Sequence, residues 1–102
     1  MSREEVEELL AESNPEALFM DGFDDAIIGI AERPNFGPIV AYDEEKIIEI
    51  LFHQMEASPE DLVDRTKDEV CLEMALEYYY YNVKSTWMGE NTPIIITTKF
   101  YE

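Results

Sequence analysis

The chain has 102 residues, 46% of them hydrophobic and 12% aromatic, and its 24 Asp and Glu against seven Lys and Arg give a formal charge of −17. The size and apolar content fit one folded domain with a real core and exclude a disordered chain. The charge disfavours direct binding to nucleic-acid phosphates or to an anionic membrane, both of which rely on Lys and Arg, and it favours a basic protein surface as partner.

In chain order, the first helix opens at Ser2, with Glu5 three residues on in the spacing of a capping box. Val6, Leu9 and Leu10 form a narrow apolar stripe on it, and glutamates cover the rest. Asn14-Pro15 then predicts a short second helix to about Met20, with proline at its favoured first position. "FMDGFDD" (19–25) reads as a turn, with Gly22 allowing the sharp backbone bend and aspartates bonding nearby N–H groups.

Ile27, Ile28 and Ile30 scarcely alternate with polar residues, which predicts a central strand covered on both faces. "RPNFG" (33–37) turns the chain into an antiparallel partner strand, Ile39 to Tyr42. Asp43 caps a helix to about Glu56, with Ile47, Ile48, Ile50, Leu51 and Met55 on its apolar face. Ser58-Pro59 with Asp61 starts a further helix by the same logic. That helix runs to about Trp87, either unbroken or broken near Arg65–Lys67. Gly89 falls where a helix stop is expected, and Ile94 to Thr98 form a last, β-branched strand. The expected fold is a small single α+β domain over 1–102. An acidic helix at 1–13 precedes a core at 17–98, with a three-stranded, mainly antiparallel sheet packed against about four helices.

Cys71 is the only cysteine, so an internal disulfide is ruled out and a reducing cytoplasm is the expected location. The acidic N-terminus matches neither a signal nor a transit peptide. There is no phosphate-binding glycine loop, and one Cys with one His nearly excludes a structural zinc site within the chain. A Cys71–His53 nucleophile pair competes with a buried mid-helix cysteine, and a Glu49–His53 metal pair at i,i+4 competes with a solvated histidine. In both cases the plainer reading is preferred. Counting a calcium loop from Asp21 fails at Phe23 and Ala26. A carboxylate or metal site built on Asp21, Asp24, Asp25 and Asp43 remains the alternative to the turn. No catalytic residue, metal ligand or cofactor is assigned.

The positive signal is the placement of acid. Glu69, Glu73 and Glu77 recur every four residues, a step of about 6 Å along a helix, close to the spacing of successive phosphates on a nucleic-acid strand. Asp61, Asp64 and Asp68 make a neighbouring row if the helix is continuous, and Glu5, Glu8 and Glu12 repeat the device near the N-terminus. Halophilic adaptation is a weaker account, because the balance of 17 Glu, 7 Asp and 10 Ile is not dominated by Asp and Val. In "EYYYYNV" (77–83), Tyr78 and Tyr81 are expected to be buried on one stripe with Val70 and Met74; exposed, the other tyrosines would suit a protein interface, and core packing is the commoner fate of such residues.

"DGFDDAIIG" (21–29), "VAYDEEKIIEIL" (40–51), "EYYYYNV" (77–83) and "GENTP" (89–93) together resemble, in order, a family of small proteins from bacteriophage and bacterial genomes. The likeness covers about 17–96, and Gly22, Asp24, Tyr42, Asp43, Tyr78, Asn82 and Pro93 are among the matching positions. The sequence departs from the pattern between Glu56 and Leu76, which is longer and more acidic, and in its acidic first helix. The resemblance implies a phage-associated accessory protein acting on a host component, and it implies no particular activity. The expected function is thus a non-enzymatic acidic protein occupying a basic, nucleic-acid-binding surface of a host or defence protein, as a DNA mimic.

Overall fold

A computed structural model describes residues 1–98. The chain folds as two compact units, one made of Met1–Lys46 with the stretch from Trp87 onward and the other of Ile47–Thr86. Among the described residues there are three α-helices, three strands, two short 3₁₀ turns and one π-helical segment.

In the first unit, α1 (Arg3–Ser13) is capped by the Ser2 hydroxyl, which accepts from the Glu5 N–H at 3.2 Å. The Glu5 carboxylate accepts from that same hydroxyl instead of from the Ser2 N–H, so the N-cap forms where predicted and the reciprocal half of the expected capping box is replaced by a side-chain bond. Val6 and Leu10 are buried, whereas Leu9, placed on the same stripe by the spacing, is 55% exposed. The short helix expected over 15–20 does not form. After a turn at Asn14, the Leu18 N–H donates to the Asn91 carbonyl and the Met20 N–H to the Tyr42 hydroxyl (2.8 Å). These amides find tertiary partners, so the backbone need not coil to satisfy them.

Gly22 sits at φ +88°, and Asp24–Ala26 make a single 3₁₀ turn leading into β1 (Ile27–Arg33). β1 pairs antiparallel with β2 (Phe36–Asp43) across Pro34-Asn35. Proline presets the first turn position, and Asn35, at φ 67°, takes the left-handed conformation that asparagine tolerates. β3 (Ile94–Ile96) lies parallel to β2, with Tyr42 opposite Ile95. The sheet order is β1-β2-β3, so the sheet is mixed and β2 is its central strand.

This reverses the expected roles of the two longer strands. Ile39, Val40, Ala41 and Tyr42 of β2 are all buried, while Ile28 of the edge strand β1 is 46% exposed. The cause is local: between Ile27 and Gly29 the register advances two residues on β1 but one on β2. That bulge sets Ile28 outside the ladder and removes the alternation that would have marked an edge.

Side chains close this unit. The Asn14 amide donates to the Pro38 carbonyl (2.8 Å) and to the Asn91 side chain (3.0 Å). Arg33 reaches the Gly37 and Glu90 carbonyls. Burial pushes the Tyr42 phenol above its ordinary pKa, partly countered by the Met20 N–H. A Cβ at Gly37 would lie 2.9 Å from the Asn14 side chain. Gly37→Ala is therefore expected to dislodge Asn14 and cost about 1–3 kcal/mol, read as a lower urea midpoint with unchanged slope. A shift below about 0.5 kcal/mol would show that Asn14 gives way freely.

α2 (Glu44–Gln54) starts where predicted, with the Asp43 carboxylate accepting from the Glu45 N–H at 3.2 Å. In the second unit Ile47, Ile48 and Leu51 are buried. Pro59–Leu62 is only a 3₁₀ turn, and α3 (Lys67–Tyr78) begins anew with Thr66 as cap, its hydroxyl accepting from the Glu69 N–H. Of the two expected courses the broken one is found, with the break at residues 63–66.

From Tyr79 to Lys84 the helix continues in π form. Cys71, Ala75, Tyr79 and Val83 are buried at strict four-residue spacing, along with Val70. Four residues overshoot an α-turn by about 40°, so this row would drift off the core within three steps. The wider π-turn counteracts the drift and keeps Val83 inside. Tyr78 and Tyr81, predicted to be buried, are 47% and 81% exposed, and Tyr79 is the buried member of the tyrosine run.

Candidate functional site

On α3, Glu69, Glu73 and Glu77 are exposed along one face, as their spacing predicts. Leu72 and Leu76 each stand three residues after a glutamate, about 60° around the helix from it. They therefore lie between the acidic row and the buried Cys71–Ala75–Tyr79 row. With Tyr80 and Tyr81 from the π segment and Arg65 from the preceding loop, these residues line an open groove of about 690 Å³. Its floor is apolar and one wall is acidic.

The groove holds its own cation. Arg65 Nη2 forms an ion pair with the Glu73 carboxylate, which holds the guanidinium above its ordinary pKa. Lys84 Nζ lies 5.1 Å from the centre of the Tyr80 ring, in cation–π range. Tyr81, the most exposed of these rings, also borders a second depression with Met55, Met74, Tyr78 and Asn82.

The remaining proposed partner-binding residues are distributed differently. Asp61 lies in the 3₁₀ turn, Asp64 in the bend that follows and Asp68 in the first turn of α3, so the break prevents them from forming one helical row. Asp68 and Glu69 also face the positive end of the α3 dipole, which stabilises them without any partner. Glu5, Glu8 and Glu12 are exposed on α1, in the first unit, with Glu5 engaged by Ser2.

Asp61 completes a capping box, accepting from the Ser58 hydroxyl (2.7 Å) and N–H (3.2 Å). Those bonds hold its carboxyl below the usual aspartate range. Because the folded value is depressed, the cap's contribution is complete above the ordinary aspartate value. It disappears as pH falls through the folded one. The Ser58 amide shift is expected to titrate with a midpoint below about 3.9, and Asp61→Asn to abolish that transition. A midpoint at or above the ordinary value would contradict the cap.

Two members of the alternative carboxylate set already have partners. Asp24 accepts from Arg3 (3.3 Å), and Asp43 is engaged by the Glu45 N–H and the Thr98 hydroxyl. Among the described residues no group of three or more His, Cys, Asp or Glu is arranged to hold a metal ion. Cys71 is buried with its thiol 3.6 Å from the Met55 carbonyl, while His53 is exposed against the edge of Phe52. No helix among the described residues is long and apolar enough to cross a membrane.

Sequence reasoning found the glutamate row but missed the groove beside it. The signal was present in the repeat Glu69-x-x-Leu72-Glu73-x-x-Leu76-Glu77, which places a leucine row against the acid. No protein-family model, curated protein or solved structure matches the chain.

Proposed function

We propose that this chain is a non-enzymatic binding protein that sets acidic helical surface against a basic, nucleic-acid-binding surface of a partner protein, as a DNA mimic does. The observation that carries the reading is the row Glu69, Glu73 and Glu77, exposed on one face of α3 at a phosphate-like step. Like charges at i,i+4 destabilise a helix by a few tenths of a kcal/mol per pair; Arg65 pairs directly with Glu73 and also feels the charge of Glu69, which offsets part of that cost. A formal charge of −17 adds long-range attraction for basic surfaces, which speeds association and makes it salt-sensitive. The phage-family likeness supports a host or defence protein as the partner and the host cytoplasm as the place of action.

The test is capture of a partner on the immobilised chain from host lysate, eluted stepwise with salt. One nucleic-acid-binding protein released at moderate salt is the expected result. Retention that survives 1 M salt, where the screening length falls to about 3 Å, would contradict a charge-driven contact.

A further inference from the structure

We propose, resting on the reading of α3 as a partner-binding face, that the groove takes a basic amphipathic helix of the partner, and that Arg65 is an internal stand-in for that helix's cations. The floor of Leu72, Leu76, Tyr80 and Tyr81 offers exposed apolar surface beside three carboxylates. From Glu69 to Glu77 the row spans about 12 Å, a little over two helical turns. Lysines or arginines at i, i+4 and i+8 of a docked helix meet the three glutamates, while the apolar stripe beside them meets the leucines and tyrosines.

Charge complementarity selects this occupant over the others. A second copy of the chain brings the same acidic row and a formal charge of −17, and a nucleic acid brings phosphates; both are repelled. An extended peptide offers basic residues at a similar step, but its backbone N–H and C=O groups find no strand edge here, because those of α3 are bonded within the helix. A docked helix satisfies its own backbone and brings only side chains to an apolar floor.

Arg65 shows how a cation sits in this groove. Its guanidinium comes from the loop before α3 and pairs with the central glutamate, at the position where the partner's middle basic residue would lie. The side chain is only part-covered, so it can be displaced into water. While in place it lowers the groove's charge and competes with the incoming cation. Lys84 over the Tyr80 ring marks the other end of the floor as a second place where a cation is accepted.

The test uses the full chain and two synthetic peptides of about 18 residues, five helical turns, made of leucine and lysine in equal composition. One has leucines at i, i+3, i+4 and i+7; the other has the same residues scrambled so that no stripe forms. Fluorescence anisotropy is expected to give at least about tenfold tighter binding for the striped peptide, since burying even one or two apolar side chains accounts for that factor. Leu72→Ala with Tyr81→Ala is expected to remove the preference, and Arg65→Gln to tighten striped-peptide binding several-fold. Equal, salt-sensitive binding of both peptides would overturn the helix proposal and leave the acidic-surface reading standing. A preference that survives the Leu72 and Tyr81 changes would place the peptide elsewhere and also overturn it. If neither peptide binds, the groove proposal falls, and partner capture from lysate then decides whether the acidic-surface reading falls with it.

Discussion

Tyr79→Ala is expected to destabilise the protein by about 3–5 kcal/mol, the range for removing a large buried ring, while Tyr81→Ala changes stability by no more than about 0.5 kcal/mol. The two residues are two positions apart in a run of identical side chains, so composition cannot separate them. Tyr79 is fully buried in the Cys71–Ala75–Tyr79–Val83 row, and Tyr81 is 81% exposed beside the groove. Against a total stability of roughly 5–15 kcal/mol for a domain, the first substitution leaves a marginal fold. Urea denaturation of both variants measures this directly. Equal effects would contradict the burial of Tyr79 and the exposure of Tyr81 on which the prediction rests.

Reversing the acidic row is expected to abolish partner binding without unfolding the chain. Glu69→Lys, Glu73→Lys and Glu77→Lys together change the formal charge by six from −17, all on one helix face. Losing one member of a desolvated charge pair at an interface commonly costs about 2–5 kcal/mol, and reversal adds repulsion. A loss of about 100-fold or more is therefore the expected reading for the captured partner. Circular dichroism is expected to be unchanged, since three exposed side chains are altered and the caps at Thr66 and Ser58 are intact. The matching reversal of Glu5, Glu8 and Glu12 on α1 asks separately whether that row contributes. If the α3 triple variant binds as the wild type does, the acidic face is solvated surface and no more.

Much of the fold was legible because its signals are local. Ser2 with Glu5, Asp43 before α2 and the Pro34-Asn35 turn each act within a few residues, and each formed where predicted. The start of α3 was equally local. Thr66 with Glu69 repeats the spacing that begins α1, and the helix is broken there rather than running unbroken from Pro59. Long-range effects defeated the rest. The 15–20 segment stays extended because Asn91 and Tyr42, far along the chain, take its amides. β1 is an edge rather than a centre because a bulge at Ile28 hides its alternation. The tyrosine stripe was misassigned, and its last member most of all, because spacing that assumes α geometry throughout cannot show the π segment that keeps Val83 rather than Tyr81 inside.

The candidate site divides in the same way. The glutamate row needed only helical periodicity and was read correctly as a surface feature of α3. The aspartate row needed a continuous helix and was lost with it. The groove required both the leucine repeat and the turn of Tyr80 and Tyr81 onto its floor, and only the first of these is written in the spacing.

Competition with DNA asks whether the acidic surface substitutes for nucleic acid on its partner. With the captured partner held at fixed concentration and the labelled chain bound to it, unlabelled duplex DNA is titrated at constant salt. Full displacement along a simple competitive curve is expected, with DNA and the chain mutually exclusive. A ternary complex, or a chain that stays bound at saturating DNA, would contradict it.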